Sequence, residues 1–277
     1  MSVKPVESSE FTTLENEFQG RIGTRVIHLR NTTSTMDVAR TLVEETDELE
    51  TLDGTVVIAD QQTRGRGRFG RRWDSSHGED ILASVILCPR LAITGELTTM
   101  AALAAAMTVD ELTKRRSVIK WPNDVLIEGK KICGVIAESA TTGSSFVGVI
   151  GIGLNVNRLA ADNVLQNYDA TSVREVLSLE TVVDRRKVLR VLLANLNELY
   201  DALVRGESIM PEWRDRLSEL NSFVEVTMAS ERNVGEIVSG VAEDVDEFGR
   251  LLIREPNGHL RAVAAGEVTM RVDRHDR

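Results

Sequence analysis

Residues 64–73 read RGRGRFGRRW, five arginines and three glycines in ten residues, closed by a tryptophan. Gly65, Gly67 and Gly70 let backbone amides come close to a ligand, and the interleaved Arg66 and Arg68 offer bidentate donors to phosphate or carboxylate. Trp73 adds a flat face on which a base can stack or an arginine can pack. So much like charge implies a segment that repels itself when empty and orders around an anion. GRGRFG literally fits a G-x-G-x-x-G dinucleotide pattern, but it runs on as RRWDSSHGED, which has no helical period. No Lys-Ser/Thr follows at Walker spacing either. Taken alone, the segment fits a nucleotide and a nucleic acid equally.

Two further constellations narrow the chemistry. KWPND (120–124) sets a lysine, the Asn123 amide and the Asp124 carboxylate around a tight turn. GKKICG (129–134) brings Lys130 and Lys131 back beside it across a hairpin. Strand alternation puts these two lysines on opposite faces, and Lys131, one residue before the apolar run, is the one expected to point inward. GIGLNVN (151–157) ends a buried strand with two glycines and two asparagines. Asn155 there is either a turn former or a reader of a ribose hydroxyl or phosphate.

These groups need a scaffold. Residues 24–29 read as a strand, and NTTSTMDVARTLVEE places Ser34 or Thr35 to cap a helix with Met36, Ala39, Leu42 and Val43 on one face. Strands are expected over 55–60 and 81–87, then an alanine-rich helix over 94–116, apolar nearly all round and hence buried. The KWPND region reads as strand, turn, hairpin and strand, followed by the strand of SFVGVIGIGLNV. Helices are expected over 184–204 and from about 211. Beyond about 220 come five short alternating strands, over 223–228, 234–243, 250–254, 259–264 and 267–272. The expected fold is α+β, a mixed β-sheet flanked by helices with a small barrel-like β module after it.

The composition is that of an ordinary globular chain: 277 residues, 42% hydrophobic and 27% charged. The formal net charge of −10 disfavours non-specific nucleic-acid binding over most of the surface. No apolar run approaches the ~20 residues of a membrane span, and the first residues lack the apolar core of a secretory signal. Cys88 and Cys133 lie in apolar runs and read as reduced thiols of a cytoplasmic protein. No metal-ligand cluster is expected.

In register, STM (34–36), QQTRGRGRFGRRW, KWPND with GKKICG, GIGLNVN and the terminal GEVTMR resemble the biotin–protein ligase family, over roughly residues 25–271. The resemblance implies a catalytic core over 25–220, similar to that of class II aminoacyl-tRNA synthetases. It also implies an SH3-like β domain over 221–277 and a lead-in over 1–24 without a winged helix. The implied reaction joins biotin and MgATP into biotinyl-5′-AMP, then transfers biotin to one lysine of a carboxylase's biotin carboxyl carrier domain. By matching positions, Ser34, Thr35, Met36, Gln62, Gly65, Arg66, Gly67, Gly134 and Gly151 would line the biotin site. Arg66, Arg68, Trp73, Asn123, Asn155 and Arg271 would meet ATP or the adenylate. Lys131 would bridge the biotin carboxylate and the α-phosphate. Arg68, Asp124 and Lys131 would form the catalytic set, Asp124 either aiding deprotonation of the incoming lysine or helping to hold the metal. The resemblance is compatible with a homodimer and implies neither a membrane nor sequence-specific DNA as partner. Met36 departs from the family's frequent Asn, Cys133 from a small apolar residue, and Arg64 is an additional basic group. The rival readings are a lipoate or octanoyl ligase on the same fold, a sensor that has lost catalysis, and a nucleic-acid-binding module.

Overall fold

The computed structural model describes residues 11, 20–89, 95–142, 145–159, 169–228 and 235–270. Strands β1 (Arg25–Thr32) and β2 (Thr55–Gln62) are parallel, with α1 (Thr35–Glu44) crossing between them. With β3 (Ile81–Leu87), β4 (Val118–Lys120), β5 (Asp124–Ile127), β6 (Lys130–Thr142) and β7 (Ser145–Leu154) they build a seven-stranded sheet, ordered β1-β2-β3-β7-β6-β5-β4. Every other neighbouring pair is antiparallel, so the sheet is mixed.

Strand alternation divides the apolar residues between two faces. On β2, Val57 and Ala59 pack with Met36, Val38 and Ala39 of α1, whereas Val56 and Ile58 face the opposite core. That core is closed by α2 (Leu97–Thr113), whose stretch from Met100 to Ala106 has no exposed surface. Alanine allows this close approach: α2 lies between the sheet and the amphipathic α4 (Arg185–Val204), which presents Leu189, Leu192 and Leu196 at helical spacing. The helix expected to reach Arg116 stops at Thr113, because Lys114 turns left-handed (φ 58°) and the Thr113 hydroxyl bonds back to the Val109 carbonyl. Its expected start at Thr94 lies outside the described residues. The short α3 (Val173–Val176), capped by Ser172, has too few turns to leave a periodic signal.

After α5 (Met210–Asp215) come β8 (Phe223–Met228), β9 (Ile237–Val245), β10 (Leu251–Arg254), β11 (Leu260–Val263) and β12 (Gly266–Met270). They form an antiparallel sheet in the order β11-β10-β9-β8-β12. Trp121 joins the two sheets. Its backbone N–H donates to both oxygens of the buried Glu219 carboxylate (3.2 and 3.1 Å), and its indole Nε1 donates to the Gly249 carbonyl (2.9 Å). Burial raises the pKa of Glu219, with the Trp121 N–H opposing.

The chain that follows the arginine–glycine segment is fastened from below. Arg158 pairs with Asp80 at 2.9 Å and also donates to the Asp74 carbonyl, while the Val156 N–H donates to the other Asp80 oxygen at 3.1 Å. Asp60, near the end of β2, meets Arg185 at 2.8 Å and His28 Nε2 at 3.1 Å. Burial would raise the Asp60 carboxyl, but these contacts outweigh it and hold its pKa at about 2.

Removing the cation of the buried pair, as Arg158→Met, should cost about 3–5 kcal/mol of unfolding free energy by urea denaturation, because Asp80 stays buried without its partner. Burial pushes Asp80 above the ordinary carboxylate range even with Arg158 opposing it. Without Arg158 the folded variant holds the Asp80 proton up to a higher pH than the folded wild type does, so its deficit against the wild type should shrink as pH falls through the window between the two. A deficit constant from pH 7 down to pH 4 would assign the loss to packing alone.

Candidate active site

A cleft of about 790 Å³ opens on the sheet between α1, the segment after β2, the β4–β5–β6 hairpins and β12. Its deep end is polar on one edge and apolar on the other. Ser34 caps α1, its hydroxyl accepting from the Met36 N–H at 3.3 Å. The Thr35 N–H and hydroxyl both donate to Gln62 Oε1 (2.7 and 3.1 Å), and the Ser84 hydroxyl donates to Thr35 Oγ1 at 2.8 Å. This relay fixes the carboxamide of Gln62 with its oxygen toward Thr35. Opposite, Met36 and Ile136 fill the space beside Gly151, where a Cβ would lie 2.9 Å from Met36 Sδ and 3.0 Å from Ile136 Cγ1. Met36, where an asparagine would add a polar contact, is thus an apolar wall.

One repeat along β7, on the same face, lies the floor. The Trp73 ring covers Gly153 and Gly134: a Cβ on Gly153 would overlap indole Cε2, and one on Gly134 would lie 2.8 Å from Cζ3. Across this floor Lys131 Nζ sits 5.4 Å from the Trp73 ring centroid and 2.7 Å from Asp124 Oδ2. Lys131 points into the cleft and Lys130 is exposed, as alternation requires. Beside them, burial pushes the thiol of Cys133 well up; away from the cleft, burial raises that of Cys88, near Asp53 and Leu49, to about 11, so both free thiols are protonated at neutral pH.

The arginine–glycine segment forms the mouth, and here the expectation of a self-repelling chain is corrected. It is a small hairpin held by backbone bonds from Trp73 N–H to Gly65 O (2.9 Å), Gly67 N–H to Arg71 O (2.8 Å) and Arg71 N–H to Arg68 O (3.1 Å). Its charges are met by carboxylates brought from elsewhere. Arg66 pairs with Asp37 of α1 and Glu138 of β6, Arg71 with Glu267 of β12, and Arg72 with Asp74 at 2.9 Å. Arg68 is different: its Nη1 donates to Asn123 Oδ1 at 2.9 Å, and its guanidinium lies over the Phe69 ring. Burial lowers the pKa of Arg68, with Asp124 and Glu267 opposing, and an arginine so placed stays charged.

Of the residues singled out in the sequence, Ser34, Thr35, Met36, Gln62, Arg66, Gly67, Arg68, Trp73, Asn123, Asp124, Lys131, Gly134 and Gly151 all line this one cleft. Gly65 stands behind it, pressed against the Trp73 carbonyl at the foot of the hairpin. Asn155 is buried behind the cleft wall: its side-chain N–H₂ donates to the Thr171 carbonyl at 2.9 Å and its backbone carbonyl accepts from the Val173 N–H at 3.2 Å, which anchors the approach to α3, while its Oδ1 meets no hydrogen-bond donor among the described residues. Arg271 lies outside the described residues. Lys120, the lysine of the KWPND turn, also lines the cleft, whereas sequence reasoning missed Ser84, Phe69, Arg71 and Glu267 as contributors. A lone hydroxyl in ILASVIL was the available signal for Ser84, and the others carry none beyond their charge or ring.

The geometry is thus a half-polar pocket leading past a lysine to an arginine. Residues 28–155 match the biotin/lipoate A/B protein ligase family, and residues 222–271 match the biotin protein ligase C-terminal domain. The chain belongs to the biotin protein ligase family. It is 34% identical over 227 residues to the biotin–[acetyl-CoA-carboxylase] ligase of Mycobacterium tuberculosis, covering 78% of this chain and 79% of that protein. It is 31% identical over 224 residues to the bifunctional ligase/repressor BirA of Bacillus subtilis, covering 79% of this chain. The match spans 66% of that bifunctional relative's length and 65% of its Bacillus spizizenii counterpart's. Among solved structures, the biotin protein ligase from Aquifex aeolicus in complex with biotin and ATP superposes with a TM-score of 0.69 at 25% identity, covering 89% of this chain and 98% of that one.

The close fit of Trp73 over Gly153 makes a simple test. Gly153→Ala should expel the indole from the floor, red-shifting tryptophan emission and costing about 1–3 kcal/mol through overpacking. Unchanged emission and stability would mean that the ring does not rest on that glycine.

Proposed function

We propose that the protein is a biotin–[biotin carboxyl carrier protein] ligase. The observation that carries this reading is the order of groups along one cleft. The half-polar pocket of Thr35, Gln62, Met36 and Gly151 is followed by Lys131 on the Trp73 floor, and then by Arg68 at the mouth. The pocket's two edges suit a small bicycle with a ureido side and a thioether side. Lys131 then stands where the tail carboxylate would end, and Arg68 where phosphate would follow.

In the first step a biotin carboxylate oxygen attacks the α-phosphorus of MgATP, and the bond from that phosphorus to the bridging oxygen breaks as pyrophosphate leaves. Two anions must be brought together, so fixed cations lower the barrier by positioning and by meeting the charge that builds on the phosphoryl oxygens. Lys131 and Arg68 supply those cations, and Asn123 holds the Arg68 guanidinium. In the second step a carrier-lysine amine attacks the acyl carbon, the amine loses its proton and AMP leaves. Asp124 is engaged with Lys131 at 2.7 Å, which favours an orienting role for it over free general-base chemistry. Mg²⁺ enters with ATP as part of that substrate.

On this reading residues 25–220 form the catalytic domain and 221–277 a second domain that lends Glu267 to the mouth. Sequence-specific DNA binding is not part of it: the net charge is −10 and carboxylates cover Arg66, Arg71 and Arg72. Free, high-pKa thiols and the use of ATP suit a cytoplasmic setting. No described helix is long and apolar enough to cross a membrane.

Biotin-dependent ATP–pyrophosphate exchange tests the proposal, with lipoate as the parallel acid. Exchange is expected with biotin alone; exchange with lipoate instead would move the protein to the sister activity, and silence in a folded sample would leave a binding protein. Lys131→Ala should reduce the exchange rate by about 10²–10³-fold without lowering the melting temperature, and an undiminished rate would remove Lys131 from the mechanism.

A further inference from the structure

Phe69 occupies the tip of the mouth hairpin with φ of 57°, next to Gly70 at 72°. Arg71 N–H closes the turn onto the Arg68 carbonyl at 3.1 Å. Positive φ at both central residues is the mirror-image turn that closes tight hairpins, where Asn, Asp and Gly are favoured and a bulky side chain is costly. Phe69 is also 48% exposed, so its ring is not retained for burial in the core. On backbone and solvation grounds phenylalanine is a poor choice there.

Its ring nevertheless has a definite partner. The Arg68 guanidinium carbon lies 4.6 Å from the Phe69 ring centroid, within cation–π range. The same guanidinium donates to Asn123 Oδ1 at 2.9 Å, and Asn123 is itself pinned by its amide to the Val135 carbonyl. Arg68 is therefore held between a ring and an amide, both uncharged. Its neighbours Arg66, Arg71 and Arg72 each meet a carboxylate directly. A guanidinium held by neutral groups keeps its charge available for an anion, whereas one held by a carboxylate must first give that partner up.

We propose that Phe69 is a positioning residue: its left-handed backbone sets the ring over Arg68, and the ring sets the guanidinium into the cleft as a preformed contact for substrate phosphate. This rests on the ligase reading of the cleft. It does not depend on which acid is activated.

The test is a double-mutant cycle on ATP affinity by calorimetry, with the release of preformed biotinyl adenylate as second readout. Phe69→Asn keeps a residue suited to left-handed backbone and removes only the ring, so the melting temperature should hold. It should weaken ATP binding and speed adenylate release by about threefold to tenfold, while the KM for biotin stays put. Phe69→Tyr should restore both. Arg68→Ala should weaken ATP binding by at least as much, and adding Phe69→Asn to it should change nothing further, because the ring acts through the guanidinium. If Phe69→Asn binds ATP and keeps the adenylate as the wild type does, or if the two substitutions add fully, the proposal is overturned. A wild type inactive with biotin that still binds ATP and shows the non-additive cycle would refute the biotin reading and support the role of Phe69.

Discussion

Five guanidinium groups within ten residues repel one another, and much of this molecule's arrangement brings carboxylates to three of them, Arg66, Arg71 and Arg72. Unit charges a few ångströms apart near a protein surface interact by about 4 kcal/mol. Asp37 comes from the first turn of α1, Glu138 from β6, Asp74 from the hairpin's own return and Glu267 from β12 of the second sheet. One segment thus gathers the start of a crossover helix, a central strand and the C-terminal module around a single opening. An overall acidic chain with one basic hairpin is in this sense a consistent electrostatic design.

The interior of the cleft is made by subtraction. Gly134, Gly151 and Gly153 stand where side chains would fill the space, and Trp73, Met36 and Ile136 press into the room they leave. The floor is therefore a ring laid directly on backbone, a surface with few rotamers to lose when a ligand arrives. Trp121 extends this rigidity outward, one hydrogen-bonding group committed to Glu219 and another to Gly249 beyond it. The KWPND turn that carries Asn123 and Asp124 is in this way braced by the module whose β12 supplies Glu267.

Much of this was legible in the sequence because it rests on local rules. The alternation that turned Lys131 inward, the cap at Ser34, the alanine-rich buried helix and the five short terminal strands follow from period, propensity and turn chemistry. What escaped depends on partners distant in sequence. The charge of the hairpin reads as self-repulsion until Asp37, Glu138 and Glu267 are placed beside it. Asn155 reads as either a turn former or a ligand contact, and only the fold shows its N–H₂ committed to Thr171, sixteen positions away. Ser84 carries no periodic signal and gains meaning from Thr35, forty-nine positions away.

The two kinds of ion pair around the hairpin differ in more than strength. Arg158 and Asp80, at its foot, have side chains 5% and 0% exposed, whereas Arg71 and Glu267, at its rim, are 60% and 46% exposed. The rim pair is worth at most about 1 kcal/mol and fades with ionic strength, while breaking the foot pair costs several times more. The hairpin is therefore tied firmly at its foot and lightly at its rim, and dissolved salt loosens the second tie far more than the first.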